Sequence, residues 1–115
     1  MVNKKFIDSL KKDYLKKNND RRQIISLSNI ILNNSKKAIF AIHRKDLELA
    51  NLKLNENEKM INQIVKNFKA ERAEEEGAFM AGLEEYTEAK LFFNFVSTGK
   101  IEKIIVNSIP KGMFK

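Results

Sequence analysis

The residues best placed to do chemistry lie in one short stretch, Gly82-Leu83-Glu84-Glu85-Tyr86-Thr87-Glu88-Ala89. Glu85 and Glu88 are three apart, and Glu84 and Glu88 are four apart. On a helix either pair shares one face, with Cβ atoms about 5–6 Å apart. Like charges that close repel each other, and a divalent cation reverses the sign. Mg²⁺ takes carboxylate oxygens and water as ligands and activates water for attack on a phosphodiester. Two carboxylates seldom complete such a site, so further acids are expected beside them. A solvated acidic face satisfies the same spacing.

A second set of residues suits anionic ligands. Arg21-Arg22, Lys36-Lys37 and Arg44 are the bases best suited to phosphate contacts. A solvated helix face accounts for them equally well on pattern alone. His43, next to Arg44 and Lys45, ends a helical segment, where the helix dipole favours a cation. Gly77 and Gly82 bracket four residues with no Lys-Ser/Thr behind them, which excludes a phosphate-binding P-loop. Phe92, Phe93 and Phe95 fit a core better than a base-stacking surface.

Positioning these residues requires helices. One proline and four glycines interrupt 115 residues, and apolar positions recur every three or four. Both features point to an all-α fold, a helical bundle of long antiparallel helices in one domain spanning 1–115. The first segment spans about Asn3 to His43, with Asn18-Asn19-Asp20 as a weak point. It is either one long helix or two that meet near Asn18, with Asp20 and Gln23 as a capping box. Phe6, Leu10 and Tyr14 on it are expected to pack in the core. The second segment runs from Asp46, a candidate N-cap, to about Lys69. Leu49, Leu52, Met60, Ile64 and Phe68 can share its apolar face, with a gap at 55–58. The third runs from about Glu74 to Ser97, its acidic start suited to a helix N-terminus, with Thr98-Gly99 as the stop. Residues 101–109 are apolar and β-branched. An unbroken first helix would be about 60 Å long, more than two shorter helices can cover. Its uncovered apolar stripe calls for another subunit or a further part of the fold.

Composition narrows the classes. With no cysteine and one histidine, disulfide scaffolds, thiol nucleophiles, cysteine-held metals and His-rich centres are excluded. No apolar run approaches the roughly 18 residues of a membrane helix, and no signal-peptide core is seen, so no membrane partner and a cytoplasmic location are expected. The net charge of +7 is uneven: residues 1–45 carry +9, 46–99 carry −5 and 100–115 carry +3. Such asymmetry can mark a nucleic-acid surface. Lys, Asn and Ile supply 44 of the 115 residues, a bias that AT-rich codons also produce.

Several segments, taken in order, resemble the translin family, and most of all its translin-associated (Trax-like) branch. Arg21-Arg22-Gln-Ile-Ile-Ser-Leu-Ser, followed by Ser35-Lys36-Lys37-Ala-Ile-Phe-Ala-Ile-His43-Arg44, is similar to the family's first long helix. The stretch from Gly82 to Ala89 is similar to the helix that carries two catalytic carboxylates in the Trax-like subunit. Thr98-Gly99-Lys100-Ile101 resembles the loop closing that helix. The resemblance spans roughly residues 15–105. It implies an all-α fold, ring- or barrel-like oligomers that enclose single-stranded RNA or DNA, and Mg²⁺-dependent endoribonuclease activity, with Glu85 and Glu88 as catalytic and metal-binding positions. The family's chains also have a C-terminal helical half bearing an Asp-Leu-x-Gly-Glu type motif with further acids. Nothing here matches that half. The expectation is therefore half of a translin-like fold, from a split gene, a truncated paralogue or a piece of a longer chain. Such a half acts in a homo- or hetero-oligomer, with a partner supplying the missing acids. The rival readings are a non-catalytic nucleic-acid-binding oligomer and a helical protein-interaction adaptor.

Overall fold

The computed structural model describes residues 3–98, all of whose regular elements are helices. Helix α1 spans Lys4–His43, α2 Leu47–Phe68, α3 Ala70–Glu74 and α4 Gly77–Thr98. Asn3 caps α1 by accepting from the Lys5 backbone N–H. The Asn18-Asn19-Asp20 stretch does not break this helix, so the Asp20 capping box is not used. No glycine or proline occurs in α1 to interrupt its backbone ladder.

The α1–α2 turn is closed by backbone bonds, from the Asp46 N–H to the Ala41 carbonyl (2.8 Å) and from the Lys45 N–H to the Ile42 carbonyl (2.9 Å). This is a Schellman closure, with Lys45 at the left-handed position (φ 65°) where glycine is usual. Asp46 then caps α2 as its composition suggests, its carboxylate accepting from the Leu49 N–H at 3.1 Å. The third segment differs from expectation. Glu74 ends the short α3, and Glu75 and Glu76 precede α4 instead of forming its first turn. Thr98 closes the described part of α4; residues 99 and 101–109 lie outside the described residues.

Helices α2 and α4 both lie along α1 and meet each other less. Helix α2 is antiparallel to α1. Helix α4 runs parallel to α1: Glu76 at its start is bonded to Arg21, and Phe92 near its end stacks on His43 with ring centroids 5.2 Å apart. The α1 face turned to both partners is Ile24, Ser28, Ile31, Ser35, Ala38 and Ile42, all buried. Their spacing alternates four and three, a coiled-coil seam. At its closest, the seam meets a glycine. A Cβ on Gly82 would stand 3.2 Å from the Ser28 carbonyl oxygen and 3.4 Å from Ile31 Cγ2.

The polar residue that fills the apparent apolar gap in α2 is Asn57, which is fully buried. Its Nδ2 donates to the Ile31 carbonyl (3.0 Å) and to Ser35 Oγ (2.9 Å), and Ser35 Oγ donates to the same carbonyl (2.8 Å). The α2 core face is therefore Ala50, Leu54, Asn57, Ile61 and Ile64. Leu52, expected on it, is exposed.

The length of α1 exceeds its cover. At 1.5 Å per residue it is about 60 Å long, whereas α2 and α4 reach about 33 Å; the molecule measures 68 × 26 × 18 Å. The first four turns project as an arm. Phe6, Leu10 and Tyr14, expected in the core, are exposed there, Leu10 by 54% and Tyr14 by 69%. Their period suits a core, but α2 and α4 end short of them, which leaves the uncovered stripe that the length of an unbroken first helix implies. The buried seam continues along this arm at the same spacing, through Arg21, Lys17, Tyr14 and Leu10 to Ile7.

The Gly82 contact gives a direct test. Gly82→Leu forces a side chain against a backbone carbonyl that cannot rotate away. It should cost about 1–3 kcal/mol despite the better helix propensity, read as a lower melting temperature by circular dichroism.

Candidate nucleic-acid interface and carboxylate pair

From Arg21 to Lys45 the sequence has no acidic residue. Arg22, Lys36, Lys37 and Arg44 are exposed and, among the described residues, form no ion pair. Arg22, Lys37 and Arg44 project from the side of α1 opposite the Ile24–Ile42 seam, with Lys36 on the flank, as the 100° helical step requires. Ser26, Asn29 and Asn33 share that outer side and are also exposed. The result is a cationic face about 33 Å long from Arg22 to Arg44, polar except for the exposed Phe40.

Arg21 has a second role that the sequence does not reveal. Its Nε donates to Glu76 Oε2 at 3.2 Å, and Arg72 Nη1 donates to Glu76 Oε1 at 3.1 Å. Arg72 also reaches Glu75 (3.4 Å) and the Lys17 carbonyl (3.3 Å). Glu76 is 9% exposed. Two guanidinium groups offset the desolvation of its carboxylate, and removing either leaves charge in a poorly hydrated site. The cluster fastens α3 and the start of α4 to α1. The only hint in the sequence is an acid triplet that follows an Arg by two to four residues.

On α4, Leu83, Tyr86 and Ala89 face the core, which turns the glutamates elsewhere. Glu84 and Glu88 are exposed and Glu85 is half-buried. Among the described residues none of the three forms an ion pair, and no group of three His, Asp or Glu side chains is placed to hold a metal ion. Mg²⁺ takes one or two carboxylates with water completing its shell; Glu85 and Glu88, three residues apart on α4, are the residues whose chemistry would suit it. The contacts of Gly82 with Ser28 and Ile31, and of Phe92 with His43, put the pair at about the height of Lys36 and Lys37 along the bundle. Among the described residues no ion pair joins the two sets.

The tyrosine between these glutamates belongs to the core. Tyr86 is fully buried and its hydroxyl has no hydrogen-bond partner among the described residues. Burial pushes its pKa from 10.0 up to about 12, and the Glu58 carboxylate of α2 adds to the rise. The spacing of Gly82, Leu83, Tyr86 and Ala89 is the signal that marks it as a core residue. Phe92 and Phe93 pack against the core as expected, while Phe95 is exposed. The chain matches no family model, no curated protein and no solved structure.

Tyr86 links stability to pH. Between pH 10 and 12 the unfolded chain releases the phenolic proton and the folded chain keeps it, so stability falls as pH rises through that window. Tyr86→Phe removes a buried hydroxyl that has no partner among the described residues. It should leave the melting temperature at pH 7 unchanged or higher and reduce its decline between pH 10 and 12. A lower melting temperature at pH 7 would show that the hydroxyl is satisfied after all.

Proposed function

We propose that this chain is a translin/Trax-like helical subunit that binds single-stranded RNA or DNA along the outer face of α1 and acts within an oligomer. The observation that carries the reading is the acid-free face between Arg21 and Lys45, whose Arg22, Lys36, Lys37 and Arg44 are exposed and, among the described residues, outside any ion pair. Cations left without intramolecular partners, on one face and about 33 Å long, suit a phosphate chain. The order of sequence words along the same helix, and the Glu85/Glu88 pair on α4, support the translin-like assignment.

The arm supports the oligomer. Ile7, Leu10, Tyr14 and Leu15 are exposed on a helix whose inner seam has already run out of cover. The four-three spacing of that seam continues into the arm, so the arm keeps the pattern by which the covered half of α1 binds its partners. Among the described residues, no element reaches far enough to pack there. A second subunit is the simplest cover, either another copy or a different helical chain.

The carboxylates extend the proposal to catalysis. Glu85 and Glu88 would hold Mg²⁺, and the bound ion would supply an activated water for phosphodiester attack. Acids from another chain would complete its shell. On this reading the isolated chain binds nucleic acid without cutting it. Metal-dependent cleavage in the presence of a complementing chain separates this from a non-catalytic binding oligomer. A helical adaptor would bind no polyanion in a salt-dependent way.

Two measurements test the proposal. Anisotropy titration with a labelled single-stranded oligonucleotide should give an affinity that falls with salt, with a log–log slope of about −0.7 per neutralised phosphate. Changing Arg22, Lys36, Lys37 and Arg44 to Glu should abolish most of this binding and flatten the slope. Arg21 is left in place because it holds Glu76. Unchanged affinity in the quadruple variant would mean that the surface is elsewhere. Light scattering should show an oligomer at micromolar concentration, reduced to monomer by Leu10→Asp with Tyr14→Asp. A wild-type monomer across that range would overturn self-association.

A further inference from the structure

One residue on the outer face of α1 is not explained by charge or packing. Phe40 is 67% exposed, although the buried seam lies on the opposite side of the same helix. Lys36 precedes it by four residues, Lys37 by three, and Arg44 follows by four. Residues at those spacings are surface neighbours, with Cβ atoms about 5–6 Å apart. Among the described residues Phe40 has no aromatic partner and no cation over its ring; those contacts belong to His43 with Phe92 and Lys90 with Phe93. A bare phenyl ring thus stands within three cations that have no ion-pair partner, on a face without acids.

We propose that Phe40 is a base-stacking platform: its ring receives an unpaired nucleobase while Lys36, Lys37 and Arg44 hold the phosphates on either side. The proposal rests on the nucleic-acid reading of α1 and adds to it the contact that senses bases. Phosphate contacts are blind to base and to strandedness. An aromatic face is not, because only an unstacked base can lie on it, which favours single strands over duplex. Phenylalanine has no hydrogen-bonding group, so the platform should accept any base. An acidic protein groove is the competing occupant, since it too would complement cations around an apolar side chain.

The chain contains no tryptophan, so Phe40→Trp installs a single emission reporter at the platform. Three probes are used at low salt: an oligouridylate, an abasic oligomer of equal length and a polyglutamate of matched charge. The oligouridylate should quench the emission of the Phe40→Trp variant and the other two should not. Phe40→Ala should weaken oligouridylate binding by about 5- to 150-fold, the range for loss of one base–aromatic stack, and leave abasic binding unchanged. Phe40→Leu, which keeps apolar bulk without a flat face, should behave like Phe40→Ala. Equal thermal melts would confirm that all variants are folded. If the wild type binds oligouridylate and Phe40→Ala binds it as tightly, the platform is refuted while the nucleic-acid reading stands. If polyglutamate quenches as well as oligouridylate, the face belongs to an acidic protein and the platform is refuted. If the wild type binds neither nucleic-acid probe, the functional reading fails and takes the platform with it.

Discussion

A 40-residue helix lined by two helices of 22 sets the terms for everything else in this molecule. Helices α2 and α4 can bury only the C-terminal half of the α1 seam. Their placement there divides α1 into a covered half and a bare arm. The division also fixes the charge layout. The covered half has no acids, and its outer face is left to cations. The acids of α2 and α4 lie on the elements that do the covering. The Arg21–Glu76–Arg72 cluster stands where cover ends, and it holds the start of α4 against α1 at that boundary.

Within the covered half, polar groups supplement an apolar seam of modest size. Ser28, Ser35 and Ala38 are small, which lets α2 and α4 approach α1 closely, as the Gly82 contact demonstrates. Close approach brings the Ile31 carbonyl within reach of Asn57. A buried amide bonded to one carbonyl and one hydroxyl opposes sliding of α2 along α1, because any slip leaves these groups unpaired in the core. The Tyr86 hydroxyl, like Asn57 Oδ1, has no partner among the described residues; an aromatic ring that packs well carries it into the core.

The architecture is largely legible from spacing. Scarce Gly and Pro, the 3/4 periodicity and Asp46 as an N-cap yield three helical segments within a few residues of their positions. The short α3 leaves no such trace, because Lys69 makes its turn without glycine or proline. Periodicity presents Asn57 as a gap, since it ranks side chains by polarity and cannot see a carbonyl on a neighbouring helix. It presents the arm as core because Phe6, Leu10 and Tyr14 have the right period, and period says nothing about whether a partner is long enough. At the candidate site, the glutamate pair and the basic residues are visible as types and spacings. The tie of Arg21 to Glu76 spans 55 residues and has no local signature. Phe40 is hidden for a similar reason: it sits among apolar neighbours in sequence, and only the direction of the helix face separates it from them.

The two corners of the bundle bear on how the protein can change. Lys45 (φ 65°) and Lys69 (φ 68°, ψ 152°) both hold backbone conformations that favour glycine. For a residue with a Cβ this costs about 1–3 kcal/mol. That energy is latent headroom. A single exchange to glycine at either corner would leave every helix–helix contact in place. The gain could absorb a destabilising change elsewhere, such as remodelling of the α1 face for a different ligand. Evolvability in this fold is thus stored at its turns, outside the core.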